Sequence, residues 1–189
     1  MISHKHKCIF IHIPKTGGES VAVLLGADPD PKKLQHLPRK HAGIQYYQKK
    51  FPKEFNNYFK FAVVRNPWAA TVSWAAWRDR VIKKNSPDSF NKEKFKYYMN
   101  HEFRKSFFAK KRPETMMFIN GNIKMDFIVR FENINEDFEC VYKKLNIIDK
   151  LPHKNKTVHK HYREYYNDEM MNMVSNKFKN DIEYFKYSF

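Results

Sequence analysis

The stretch that most restricts the fold is "CIFIHIPKTGGESVAVLL", Cys8 to Leu25. An apolar run from Cys8 to Ile13 stops at Pro14, Lys15 and Thr16 follow, then Gly17 and Gly18, and an apolar pattern resumes from Glu19 onward. This reads as a strand, a tight turn and a helix. A helix start carries unpaired N–H groups and partial positive charge, so glycines between strand and helix make a ready anion site. Lys15 adds a full charge, and the Thr16 and Ser20 hydroxyls can donate. The common ATP-binding loop places its lysine after the last glycine. Here the lysine precedes both glycines, which counts against an ordinary ATP-type loop.

The same strand-to-helix alternation recurs. "FKFAVV" (Phe59 to Val64) and "DFIVRF" (Asp126 to Phe131) read as strands, followed by helical patterns from Pro67 to Arg80 and from Asn135 to Leu145. In the last of these Phe138, Val141, Tyr142 and Leu145 share one face. Strands alternating with helices predict a parallel sheet with helices packed on it, whose binding crevice lies at the C-terminal ends of the strands. "TMMFIN" (Thr115 to Asn120) is compatible with a further strand or a helix end. The basic, aromatic segment from Asn91 to Lys111 reads as an amphipathic helix anchored by Phe95, Tyr98 or Met99, and Phe103. The tail from Tyr165 to Phe189 repeats the pattern with Met170, Met173 or Val174, and Phe178. No repeat or linker interrupts the chain, and its 189 residues fit a single domain, 1–189.

A second constellation is "FAVVRNPWAATVSWAAW". The strand ends at Arg65, Asn66 can cap, and Pro67 stands where the first helical residue tolerates proline. An Arg at the mouth of a parallel sheet offers a second anion subsite with two-pronged geometry. Two such subsites favour a ligand with two separated phosphate-like groups. Charge agrees: Lys plus Arg number 36 against 20 Asp plus Glu, a net +16, so the partner is expected to be anionic. The two cysteines, Cys8 and Cys140, make neither a disulfide framework nor a zinc cluster and imply a reducing compartment. No window approaches the roughly 18 apolar residues of a membrane-spanning helix, and the N-terminal apolar run is too short for a secretion signal. The expectation is a soluble, cytoplasmic protein.

These residues resemble the sulfotransferases that use 3'-phosphoadenosine 5'-phosphosulfate, in particular the sulfotransferase family 2 branch that sulfates carbohydrates and includes heparan-type 2-O and 6-O enzymes. "FIHIPKTGGESV" is similar to that branch's 5'-phosphosulfate loop and "VVRNPWAATVS" to its 3'-phosphate loop. "IVRFENINEDFECVYKKLNI", "LPHKNKT" and the tail continue the likeness in order and spacing across nearly the whole chain. The resemblance implies a P-loop-NTPase-like, three-layer α/β fold, a central parallel β-sheet flanked by helices. It implies that Lys15 bridges the phosphosulfate and steadies the leaving phosphate, and that Thr16, Gly17, Gly18, Glu19 and Ser20 cradle the 5' end. It assigns Arg65 and Ser73 to the 3'-phosphate, Phe131 to the adenine, and Lys156 and Thr157 to a loop closing over the nucleotide. No metal is expected. One departure stands out: relatives commonly carry Thr at Glu19, and a carboxylate beside phosphate is unfavourable unless it points away or orients Lys15 or the acceptor.

Among nine histidines, His41 in "LPRKHAGIQYY" is the candidate general base, since carbohydrate-acting relatives carry a catalytic His there. His12, within the first strand, is read as structural. His4 with His6, and His159 with His161, lack partners at ligand spacing for a metal. The acceptor, expected to be a saccharide or another acidic molecule, would meet a basic channel of Arg39, Lys40, Arg78, Arg80 and the Asn91 to Lys111 segment. Trp74 or Trp77 would be free to stack on a sugar, whereas Trp68, Val72 and Ala76 form the buried face of their helix. The rival readings are a non-catalytic basic nucleic-acid-binding protein, whose aromatics would stack on bases, and an ATP-dependent kinase-like enzyme. The first explains neither the two ordered anion loops nor the Pro-Lys-Thr between strand and helix, the second lacks a Walker lysine and a Mg²⁺-binding acidic pair, and no nucleic-acid partner is expected.

Overall fold

The computed structural model describes residues 1–27, 40–86, 89–152 and 159–189. The chain divides into two compact units, Met1–Val64 with Pro113–Asn155, and Arg65–Arg112 with Lys156–Phe189.

The first unit holds a four-stranded sheet in the order β1 (Ile2–Ser3), β2 (Cys8–Ile11), β3 (Phe59–Val64), β6 (Phe127–Arg130). β2, β3 and β6 run parallel, with Phe10 opposite Phe61 and Phe61 opposite Phe127, and β1 pairs antiparallel on β2. All three expected strands are present: Phe59–Val64 has the expected bounds, the first ends at Ile11 rather than Ile13, and the last loses Asp126 and Phe131. β1, too short to carry a periodic signal, was not legible in the sequence. On one face Cys8, Phe10, Phe61, Val63 and Val129 pack with Val21 and Leu25 and with Phe138, Val141 and Leu145. These come from α1 (Gly18–Leu24) and its C-terminal end, and from a long helix, Ile134–Leu145. The alternate residues Ile9, Ile11, Ala62 and Val64 are buried too. A parallel strand buried on both faces reads as a continuous apolar run, which is why "CIFI" and "FAVV" show no alternation.

Two short helices, α2 (Ile44–Lys50) and α3 (Pro52–Asn57), lead into β3. The ambiguous segment near residue 115 splits: α7 (Pro113–Met117) turns directly into β4 (Phe118–Ile119), which forms a small hairpin with β5 (Asn122–Ile123). The residues between them, Asn120 and Gly121, both have positive φ, the conformation a tight hairpin needs.

The second unit is helical. α4 (Pro67–Trp77) opens as its sequence predicts: Asn66 Oδ1 accepts from the N–H groups of Trp68 (3.1 Å) and Ala69 (3.2 Å), and Pro67 takes the first position. It runs on as a π-helical turn, Arg78–Ile82, past the expected end. The Asn91 to Lys111 segment is not one helix. It is α5 (Lys92–His101), a 3₁₀ turn (Phe103–Lys105) and α6 (Phe107–Lys110), the last capped by Ser106. Phe95, Tyr98, Met99, Phe103 and Phe108 all reach the core. They pack with α9 (Asp168–Lys177), through Met170 and Val174, and with Phe178 ahead of α10 (Lys179–Phe185). Burying each of these large side chains contributes about 1.5–3 kcal/mol.

Candidate functional site

The chain leaves β2 at Ile11, two residues sooner than the apolar run suggests, because the next groups are engaged elsewhere. The His12 carbonyl accepts from His41 Nδ1 (2.7 Å), and the Ile13 carbonyl accepts from Thr16 Oγ1 (2.9 Å). The second bond closes the turn. Thr16, 2% exposed, is thereby a fastener of the backbone. Lys15 has φ 69° and Gly17 φ 76°. The left-handed region suits glycine, whereas for lysine it stores about 1–2 kcal/mol, a form of strain that clusters at functional positions.

Space as well as φ fixes the two glycines. A Cβ on Gly17 would lie 3.2 Å from Phe131 Cε2. A Cβ on Gly18 would lie 2.1 Å from His12 Cδ2, inside any permitted contact. The turn therefore presents bare backbone held between two rings, with Ser20 buried one residue beyond Glu19. Phe131 arrives because β6 ends at Arg130 and the chain coils into a 3₁₀ turn, Phe131–Asn133, leading into α8 (Ile134–Leu145). Asp137 of α8 holds that junction by accepting from the Arg130 N–H (2.6 Å).

His41 stands against the same turn. Its ring centroid is 4.6 Å from that of His12. Since a carbonyl can only accept, Nδ1 of His41 carries the proton, and in the neutral ring Nε2 holds the lone pair. His12 is 5% exposed, and burial, then the nearby charges of His41, Lys40, the Met1 amine and Lys15, hold its imidazole well below the ordinary histidine range. His12 is thus neutral. The carboxylate of Glu19, odd in sequence, pairs with Lys40 at 2.5 Å rather than standing unpaired beside an anion site. Nothing local in the sequence signals this pair, because the two residues lie 21 positions apart.

In the second unit Arg65 directly follows the end of β3, and Ser73, 4% exposed, lies on α4. Of the residues considered for the acceptor, Trp74 is 4% exposed and stacked on Phe108 (5.9 Å), so it is core and not a sugar platform. Arg78 bonds Glu102. Trp77 is half-buried. Trp68, Val72 and Ala76 are buried as expected. Lys156, Thr157 and Arg39 lie outside the described residues. Among the described residues no three His, Cys, Asp or Glu side chains gather as a metal-binding group. His4 instead meets the Tyr58 hydroxyl (3.1 Å), and His159 donates to the Lys160 carbonyl (2.7 Å).

A cavity of about 600 Å³ opens at the other end of the sheet, where Phe59 and Phe127 begin β3 and β6 beside Lys60, Cys140 and Lys144. Ligands of open parallel sheets bind at the C-terminal ends of the strands, which favours the turn over this cavity.

The sulfotransferase family model matches residues 1–188. This chain belongs to the sulfotransferase family. No curated protein and no solved structure matches it. The mixed α/β architecture, with its mostly parallel four-stranded sheet flanked by helices, is that of the P-loop-like sulfotransferase fold. Both compact units of the sulfotransferase, apart from the last residue Phe189, lie within the matched residues. Membership supports transferase activity with a small-molecule sulfuryl donor and an acceptor. Among its described residues no helix is long and apolar enough to cross a membrane.

Proposed function

We propose that this sulfotransferase moves the sulfuryl group of 3'-phosphoadenosine 5'-phosphosulfate to a hydroxyl, or an amine, of a carbohydrate acceptor. The observation that carries the reading is the turn. Gly17 and Gly18 leave backbone bare where neither could bear a side chain, and Lys15 is held at positive φ beside them. Such a cradle fits a phosphate-like group. The bound nucleotide supplies an activated sulfuryl group on a phosphate leaving oxygen.

The protein's part is positioning and electrostatics. Lys15 places its charge on the departing phosphate oxygen. Thr16 holds the turn closed through Ile13 and offers its N–H, while Gly17, Gly18, Glu19 and Ser20 offer theirs. Arg65 grips the 3'-phosphate with two parallel N–H groups, Ser73 adds a hydroxyl, Phe131 flanks the adenine, and Lys156 and Thr157 close over the nucleotide. His41 Nε2 takes the acceptor proton as the new S–O bond forms and the S–O bond to phosphate breaks. A base so placed contributes about 10²–10⁴ in rate. No metal enters this scheme. Free Cys8 and Cys140 fit a cytoplasmic setting.

The nucleic-acid reading needs a run of aromatics at the surface, yet in the basic segment Phe95, Tyr98, Phe103 and Phe108 are core residues and leave Tyr97 and Phe107 as the exposed rings. Thermal shift with 3',5'-adenosine bisphosphate, ATP and single-stranded DNA tests the choice. At 100 times its Kd the bisphosphate stabilises by about 2.7 kcal/mol. Stabilisation by DNA and not by the bisphosphate overturns the proposal. Arg65→Ala weakens the bisphosphate far more than AMP, and equal losses for both reassign Arg65.

A further inference from the structure

We infer that Glu19 and Lys40 form a compensated charge pair that positions His41 against the donor turn and balances the charge around its imidazole. The inference rests on the proposed role of His41 as base.

Glu19 is the second residue of α1, directly after the turn glycines, and Lys40 directly precedes His41. Their side chains are 19% and 12% exposed and meet at 2.5 Å. An ion pair this far out of water is screened far less than a surface pair, and losing one partner leaves a costly bare charge. On its other side His41 is held by the His12 carbonyl (2.7 Å) and against the His12 ring, which itself abuts Gly18. The Lys40–His41 peptide is therefore fastened to the turn from two directions. Each fastening springs from a residue adjoining the phosphate cradle.

The charges explain why a carboxylate stands where one would harm anion binding. Among the described residues, Lys40 and Lys15 bring positive charge toward the neutral His12 ring, burial holds the pKa of the Met1 amine down to about 5, and Glu19 pairs with Lys40. Lys15 serves the anion. Lys40 unaccompanied would add a second cation beside His41 and oppose the imidazolium that forms when His41 accepts a proton. Glu19 cancels that charge, and Lys40 in turn cancels Glu19 toward the anion. The pair thus adds no net charge beside the donor site while anchoring the base.

The opposite signs of the two members make the test. In the full chain labelled with ¹⁵N, long-range imidazole spectra give the tautomer and titration midpoint of His41, identified by the signal lost in His41→Asn. The wild type shows the Nδ1–H form. Glu19→Gln lowers the midpoint by about half a pH unit, Lys40→Met raises it by a similar amount, and the double variant returns near wild type. Midpoints that stay put, or move together, overturn the inference. If either single variant does not fold, the exchanged variant Glu19→Lys with Lys40→Glu decides. Recovery of a folded protein with His41 in the Nδ1–H form supports the pair, and its absence overturns it. A His41 signal untouched by 3',5'-adenosine bisphosphate would instead count against the reading of His41 as base, independently of these shifts.

Discussion

The Cδ2 edge of the His12 ring lies 2.1 Å from where a Cβ on Gly18 would stand, so each residue dictates the other. His12 fills the space that a side chain at position 18 would claim, and Gly18 lets the turn lie directly on the ring.

Gly18→Ala consequently forces a buried ring or the turn to move. Overpacking of this kind costs about 1–3 kcal/mol, which lowers the Tm by roughly 2–12 °C for a chain of this size. Differential scanning calorimetry reads the loss. His12→Ala in the Gly18→Ala background recovers part of it, because the clash is with that ring; a purely additive double variant would refute the pairwise account.

Lys15 should separate stability from function. With φ 69° it occupies a conformation that glycine adopts without penalty. Lys15→Gly gains about 1 kcal/mol in urea denaturation and loses sulfuryl transfer together with most bisphosphate affinity. Lys15→Ala keeps the strain and loses the same function. A Lys15→Gly variant less stable than Lys15→Ala would contradict the strain assignment.

His12 makes stability fall with acid. Burial is the main cause of its lowered proton affinity, so the folded protein holds His12 neutral while the unfolded chain protonates near pH 6.5. Below that pH the unfolded state binds the extra proton, and stability declines by about 1.4 kcal/mol per pH unit until the folded group titrates. Above it the contribution is complete. His12→Gln flattens this slope below pH 6.5 whatever it does to the absolute stability.

Asp79 ties the π-helical turn to α5. It is 2% exposed and accepts from Asn85 Nδ2 (2.7 Å), Tyr98 OH (2.9 Å) and Lys94 Nζ (3.1 Å). Burial raises its proton affinity, but these three donors and the Lys94 charge outweigh it and hold the carboxyl below its usual range. Asp79→Asn costs about 2–3 kcal/mol at neutral pH, read as a lower urea midpoint. A depressed carboxyl gives stability that is full above about pH 4 and is lost as pH falls through the folded value. The gap between wild type and variant therefore narrows in acid.

Most of the sheet was legible because its strands are short, apolar and bounded by breakers: "CIFI", "FKFAVV" and "FIVR" each stand out. The cap on α4 was legible for the same local reason, Asn followed by Pro. Breaks inside Asn91 to Lys111 were not, since Phe103 and Phe108 keep apolar spacing across a bend that Ser106 caps. At the site, the glycines and Lys15 announced an anion turn. The ring of His12 beneath Gly18 and the Glu19–Lys40 pair were hidden, because they are contacts between residues distant in sequence and leave no periodic trace. Trp74 misled because tryptophan suits a sugar platform and a core equally, and only its stack on Phe108 decides.

The parallel pairing of β3 with β6 also bears on how the chain is made. Val64 finds its partner Arg130 only after the whole stretch from Arg65 to Asp126 has been synthesised. At ribosomal speeds of about 5–20 residues per second that interval lasts several seconds. Throughout it, one edge of an apolar strand waits without its neighbour, a surface that invites pairing with other nascent chains. Slowing translation between those two strands should raise the aggregated fraction, and a chaperone that shields "FKFAVV" should lower it.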